Sequence, residues 1–170
     1  MSASNPARLA RRMLADRLQG RTPTPTDWDA SPAGLFLTLR DPEGRVRVSI
    51  GTSRSEVSGA ELLEQVVAAA TADPRFPPLG AEELDDLSLT LWELDAPRPI
   101  RGPEELRPDD AVRVEREPFS GVFLPENYMG GAWEATSFLK QACRRAGLEA
   151  GAFLEGGTRL TAFTARRHQA

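Results

Sequence analysis

Arg45-Val46-Arg47-Val48-Ser49-Ile50-Gly51-Thr52 reads as a half-buried strand that runs into a turn. Val46, Val48 and Ile50 alternate with Arg47 and Ser49, so one face is apolar and the other carries a guanidinium and a hydroxyl. Gly51-Thr52 then interrupts the pattern where backbone can come close to a ligand or a second chain. A candidate site is therefore expected here, with Arg47, Ser49, Gly51 and Thr52 as its first residues. Upstream, Gly34 to Leu39 is rich in Leu and Phe and reads as a buried strand. Asp41-Pro42-Glu43-Gly44 between them is a turn sequence. Residues 34–52 are thus predicted as a β-hairpin.

Working outward, Asn5-Pro6 reads as an N-cap followed by Pro at the first helical position. Leu9, Met13, Leu14 and Leu18 follow at helical spacing, with the arginines of the other face expected in solvent. Thr22 to Trp28 reads as an extended link, because its prolines cannot continue a helix. Ser58 and Glu61 have the spacing of a capping box, and Leu62, Leu63, Val66, Val67 and Ala70 form a wide apolar stripe, so a helix is predicted over 58–72. Asp73-Pro74 ends it. Glu82 to Asp86 is at most one helical turn, and Leu87, Leu89 and Leu91 mark a strand with one wet face. Pro97 to Pro103 reads as a long irregular link. Strands are predicted around Val112-Val114, over Gly121–Leu124 and over Arg159–Ala165, with a helix over Trp133–Ala146. Helices and hairpin-like strands in mixed order give an α+β class, a mainly antiparallel sheet flanked by helices.

The bulk numbers exclude several functions. Of 170 residues, 40% are hydrophobic and 27% charged, which suits a globular core. The net charge is −4, which opposes binding to nucleic acid. Lys140 is the only lysine, so Arg makes up 20 of the 21 basic residues. The single Cys, Cys143, allows no intramolecular disulfide and points to a reducing compartment. No apolar run is long enough for a membrane helix, and a cytoplasmic location is expected.

Few motifs carry chemistry. There is no glycine-rich dinucleotide or phosphate loop. One His and one Cys cannot compose a zinc site, and no cofactor is expected. Glu82, Glu83, Asp85 and Asp86, or Asp109 and Asp110, are conceivable carboxylate ligands, but such runs are more often solvated surface. Cys143 lies on an apolar helical stripe and reads as a buried, inert thiol. His168 lies near the C-terminus, in a segment read as a tail. Arg75 reads as a residue that closes a turn onto backbone carbonyls; the sharper alternative is an anion anchor beside the Ser49 turn.

Several blocks, in order, resemble the AMMECR family. They are Arg47-Val48-Ser49-Ile50-Gly51-Thr52; Asp73-Pro74-Arg75-Phe76-Pro77-Pro78-Leu79; Leu89 to Leu94 with Pro97 and Pro99-Ile100; Ser120-Gly121-Val122-Phe123-Leu124-Pro125; and Ser137 to Leu148 with Cys143. The resemblance covers residues 5–165, expected as a single domain with a larger and a smaller lobe, residues 1–4 and 166–170 being flexible tails. It implies partners among Memo-like and radical-SAM proteins, beside which family members occur in bacteria and archaea.

The family signature is Leu-Arg-Gly-Cys-Ile-Gly, whereas this chain has Val46-Arg47-Val48-Ser49-Ile50-Gly51. The family Gly is Val48 and the family Cys is Ser49. A thiol is readily activated, while a serine hydroxyl needs a positioned base, and no base is evident in the sequence. The chain is accordingly read as a non-catalytic or divergent member, an adaptor or ligand-binding component of a modification pathway. The alternative is an enzyme that uses the Arg47-Ser49-Gly51 cleft on a small anionic substrate. Candidate ligand-binding residues are Arg47, Ser49, Gly51, Thr52, Arg75 and Glu126, with Ser49 the one catalytic candidate.

Overall fold

The Asn5 side chain accepts the Ala7 N–H at 2.9 Å and Pro6 takes the first helical position, so the first helix, α1, runs over Pro6–Leu18. The computed structural model describes residues 5–24, 28, 30, 32–53 and 58–170. Residues 1–4, expected as a tail, and 25–27, inside the Thr22–Trp28 link, lie outside that set. The predicted hairpin forms as β1 (Gly34–Arg40) and β2 (Val46–Thr52). The capping box forms in full: Ser58 Oγ accepts from Glu61 N and the Glu61 carboxylate accepts from Ser58 N, which starts α2 (Gly59–Ala72). The remaining elements are β3 (Ser88–Ile100), β4 (Asp110–Arg116), β5 (Phe119–Phe123), α3 (Ala135–Arg145) and β6 (Arg159–Gln169). The fold is α+β, with an antiparallel sheet in the order β2-β1-β3-β6-β4-β5.

The chain divides into two compact units, residues 1–93 with 166–170, and residues 94–165. In the first, Leu9, Met13 and Leu14 of α1 and Leu62, Leu63, Val66 and Val67 of α2 share one core with Leu35, Leu37 and Leu39 of β1, Val48 of β2, and Leu89 and Leu91 of β3. Burying each such side chain contributes roughly 1.5–3 kcal/mol. Trp28 packs against this core, and its ring lies where a Cβ on Gly59 would come within 3.0 Å. In the second unit, Phe138, Leu139, Ala142 and Cys143 of α3 pack with Val112 and Val114 of β4, Phe123 of β5, and Leu160 and Ala162 of β6. Gly121 permits this approach, since a Cβ there would lie 2.9 Å from Ala146 Cα.

Several expectations are corrected. Residues 166–170 are not a tail. β6 continues to Gln169, and Leu89 and Ala170 exchange backbone hydrogen bonds at 3.0 Å in both directions. A buried carboxylate holds the extension: Glu93, 4% exposed, has His168 Nε2 at 2.7 Å and receives Arg166 Nη1 at 3.3 Å. The sequence Arg166-Arg167-His168-Gln169 hides this because Arg166 and His168 answer a carboxylate 73 and 75 positions away. β3 likewise continues through Pro97 and Pro99 to Ile100. N–H groups two residues apart point to the same edge of a strand, so these prolines interrupt only one side of the ladder. Thr90, expected on a wet face, is buried. α3 starts at Ala135 rather than Trp133, because the Glu134 carboxylate accepts from Thr136 and Ser137 N–H as the cap.

Arg11 also departs from the solvated reading of α1. Its guanidinium donates to the carbonyls of Leu84 at 2.8 Å, Leu87 at 2.5 Å and Ala170 at 3.0 Å. One side chain thus ties α1 to the turn before β3 and to the end of β6. Replacing Arg11 by Met keeps the stem and leaves three carbonyls without this donor. The expected loss is about 2 kcal/mol in urea unfolding, with faster hydrogen exchange at the Leu89 and Ala170 amides than in the wild type.

Candidate functional site

The signature strand β2 pairs with β1 in antiparallel register, Leu35 opposite Thr52, Phe36 opposite Gly51, Leu37 opposite Ile50, Thr38 opposite Ser49 and Leu39 opposite Val48. The register then shifts so that Arg40 faces Val46, leaving Arg47 as the extra residue of a bulge. Val48 is 1% exposed and belongs to the core, while Val46, at 47%, does not. The alternation predicted for this stretch therefore holds from Val48 onward and breaks at the bulge.

Arg47 is fully engaged. It donates to the Pro77 carbonyl at 3.0 Å and the Pro78 carbonyl at 2.9 Å, and grips the Glu83 carboxylate at 2.6 and 3.3 Å. This planar, multidentate use of a guanidinium is geometrically specific. The bond from Arg47, helped by the Gly80 N–H, holds the Glu83 carboxyl below its ordinary value against the opposing effect of partial burial. Arg75 is exposed and turns to its neighbour Asp73, with Nη2 at 2.6 Å from the carboxylate, and reaches the Ser49 carbonyl at 3.3 Å. The Arg75 bonds hold the Asp73 carboxyl low. Arg75 thus closes the turn after α2 onto backbone.

Ser49 Oγ lies 3.2 Å from Thr38 Oγ1, directly across the hairpin. This is its side chain's hydrogen bond among the described residues, and it brings no base to the hydroxyl. Gly51 has a steric purpose. A Cβ there would come 2.2 Å from the Phe36 ring and 2.7 Å from the Leu35 carbonyl. The close approach that the sequence suggested is made by Phe36, packed over the glycine from the neighbouring strand.

A recess of about 260 Å³ opens beside these residues. Ile50, Gly51 and Thr52 of β2 line one side and Gln65, Val66 and Ala69 of α2 the other. Of the residues proposed from sequence, Gly51 and Thr52 line it, whereas Arg47, Ser49 and Arg75 do not. Glu126 belongs to the second unit, half-buried in the turn Pro125–Asn127. Phe36 and Gln65 escaped the sequence reading, and Glu83 entered it only as a conceivable metal ligand, not as the partner of Arg47. Phe36 could have been found by counting outward from the hairpin turn, except that the bulge offsets the count by one residue.

Of the other chemical candidates, two carboxylates are occupied and the thiol is buried, while Glu82, Asp85, Asp86 and Asp109 are exposed. Glu83 and Asp110, considered as metal ligands, form ion pairs with Arg47 and with Arg98, the latter at 2.5 Å. No group of three or more His, Cys, Asp or Glu suited to a metal ion occurs among the described residues. Burial in the second core pushes the Cys143 thiol up, away from the reactive thiolate. No helix among the described residues is long and apolar enough to cross a membrane.

Comparison with known proteins adds the family. The AMMECR1 family model matches residues 7–168. A protein of Thermococcus gammatolerans is 34% identical over 175 residues, spanning 93% of this chain and 85% of the relative. A protein of Thermofilum pendens is 34% identical over 182 residues, spanning 94% and 85%. The crystal structure of the uncharacterized protein PH0010 from Pyrococcus horikoshii superposes with a TM-score of 0.83 at 30% identity, covering 98% of this chain and 90% of that one.

Two outcomes are expected at β2. Gly51→Ala forces the Phe36 ring and the Leu35 backbone aside and lowers stability by about 1–3 kcal/mol in urea unfolding; Phe36→Ala in the same chain relieves part of that, so the two changes cost less than their sum. The second outcome concerns acid. The Glu83 carboxyl is depressed in the folded state, so its contribution is complete above its unfolded value, near 4.5, and is lost as pH falls through the lower folded value. Arg47→Met removes the cause, and the stability gap between wild type and Arg47→Met should narrow as pH drops below about 4.5. A gap that stays constant from neutral pH to acid would contradict the clamp.

Proposed function

The chain belongs to the AMMECR1 family, whose relatives here are uncharacterised proteins, and within that family we propose that it works as a non-catalytic binding component. The observation that carries this reading is the state of Ser49. Its hydroxyl is bonded to Thr38 and has no base beside it among the described residues, and the guanidinium groups of Arg47 and Arg75 are committed to protein acceptors. A serine nucleophile needs a hydrogen-bonded base that is itself oriented. An anionic substrate needs a free cation, and neither Arg47 nor Arg75 reaches the recess.

The expected role is that of an adaptor or ligand-binding component in a modification pathway, in a cytoplasmic setting. Memo-like and radical-SAM proteins are the partners proposed, on the strength of the family resemblance. The net charge of −4 supports a protein or small-molecule ligand over nucleic acid.

A fluorophosphonate probe tests the catalytic alternative directly, because it phosphonylates activated serines. The full chain should show no adduct on Ser49 by peptide mass spectrometry under conditions that label a known serine hydrolase. Labelling that disappears in Ser49→Ala would overturn the proposal.

A further inference from the structure

The recess between β2 and α2 has a polar side that the family signature does not explain. β2 is the first strand of the sheet, so its ladder partner is β1, and no other strand among the described residues pairs with its outer edge. In an antiparallel pair, residues alternate between hydrogen-bonded partners and closer partners whose N–H and C=O point away from each other. Two observations place Thr38–Ser49 and Phe36–Gly51 in the closer class. The two hydroxyls lie 3.2 Å apart, and the Phe36 ring fills the place of a Gly51 side chain. The Ser49 carbonyl accordingly turns outward, where Arg75 takes it. By the same alternation the Gly51 N–H and C=O face outward. Gly51 is exposed, and neither group bonds to a described residue beyond the hairpin.

The side chains around this edge suit an extended polypeptide. Ile50, Val66 and Ala69 form an apolar floor. The Thr52 hydroxyl and the Gln65 carboxamide, also in the lining, make no hydrogen bond among the described residues. Among the described residues the charge is one-sided. α2 carries Glu61 and Glu64 and no cation, and Glu61 lies one turn before Gln65 on the row that continues to Ala69. Glu61 Oε2 serves the helix cap, and its carboxyl is held low by that cap, so it stays charged. Of the described cations on the β2 side, Arg47 is paired with Glu83 and Arg75 with Asp73.

We propose that this recess binds a basic, extended peptide segment as an added strand on the free edge of β2 at Gly51. One apolar side chain of the peptide sits on Ile50, Val66 and Ala69, and a Lys or Arg on the same face turns to Glu61 and Gln65. Strand addition beside a helix uses main-chain hydrogen bonds for affinity and alternate side chains for selectivity. This inference rests on the reading of the protein as a binding component and names the chemistry of what it binds.

The test uses the nitrogen-15-labelled full chain and three probes: acetyl-Val-Lys-Val-Lys-Val-amide, the same peptide N-methylated at its central Val, and acetyl-Val-Glu-Val-Glu-Val-amide. The basic peptide should give saturable shifts concentrated at the Gly51, Thr52, Gln65 and Ala69 amides. N-methylation removes a strand-pairing donor and should weaken binding about tenfold, and the acidic peptide should bind at least as poorly. Ala69→Trp fills the recess and should abolish the shifts. Glu61→Gln keeps a residue able to close the capping box and should weaken the basic peptide severalfold. Equal binding by the N-methylated peptide would overturn strand addition, equal binding by the acidic one would overturn the charge argument, and no saturable shift at Gly51 would overturn the site. None of these results bears on Ser49 labelling. Labelling would remove the non-catalytic reading, whatever the peptides do.

Discussion

The Arg47 guanidinium is held between the Pro77 and Pro78 carbonyls and the Glu83 carboxylate, and the shape of the first unit around β2 follows from it. The chain leaves α2 at Asp73, crosses a proline-rich turn and must return toward β3. Nothing in Pro77-Pro78 can donate a hydrogen bond, so the turn depends on a donor brought from outside. The bulge in β2 supplies one. By inserting Arg47 as an unpaired residue it frees a side chain to serve the turn without disturbing the ladder from Val48 to Thr52. A few residues away, Arg75 repeats the device, anchored on Asp73 and reaching back to the Ser49 carbonyl. Both cations of the signature region are therefore part of the scaffold, which separates them from the recess beyond Ile50.

The departures from the signature fit this picture. Where the family sequence has Gly and Cys, this chain has Val48 and Ser49. Val48 is buried against the core that Leu39 and Leu63 share, so its side chain adds apolar contact inside the first unit. Ser49 gains a cross-strand hydroxyl partner in Thr38, itself 3% exposed. Both replacements serve packing and pairing. Neither supplies the base, the free cation or the activated nucleophile that a reaction at this strand would require.

Much of the fold was legible because its signals are local. The Asn5-Pro6 start, the Ser58–Glu61 capping box and the Asp41–Gly44 turn are chemistry between residues a few positions apart, and each forms as read. What the sequence concealed is long-range. Arg166 and His168 read as a polar tail because their partner, Glu93, sits between the apolar Trp92 and Leu94 in the buried stretch of β3. Arg11 read as a solvated helix residue because its three acceptors are backbone carbonyls, which any sequence offers. In the site, residue types pointed to the right strand but not to the right roles. Arg47 looked like a ligand anchor until its partners thirty residues on were known, and the α2 half of the recess had no signal at all.

The pairing of Phe36 with Gly51 has one more consequence, which concerns how the hairpin finds its alignment. Slipping one strand by a single residue turns buried side chains outward and is rejected by polarity alone. Slipping by two keeps every side chain on its face, so the apolar pattern of β1 and β2 cannot distinguish that arrangement from the native one. It would, however, set the Phe36 ring over Ser49 or Ser53, and each carries the Cβ for which Gly51 leaves room. The glycine thus acts as a steric index mark. It selects one alignment among those that hydrophobicity treats as equivalent, and with it the position at which the edge of β2 meets α2.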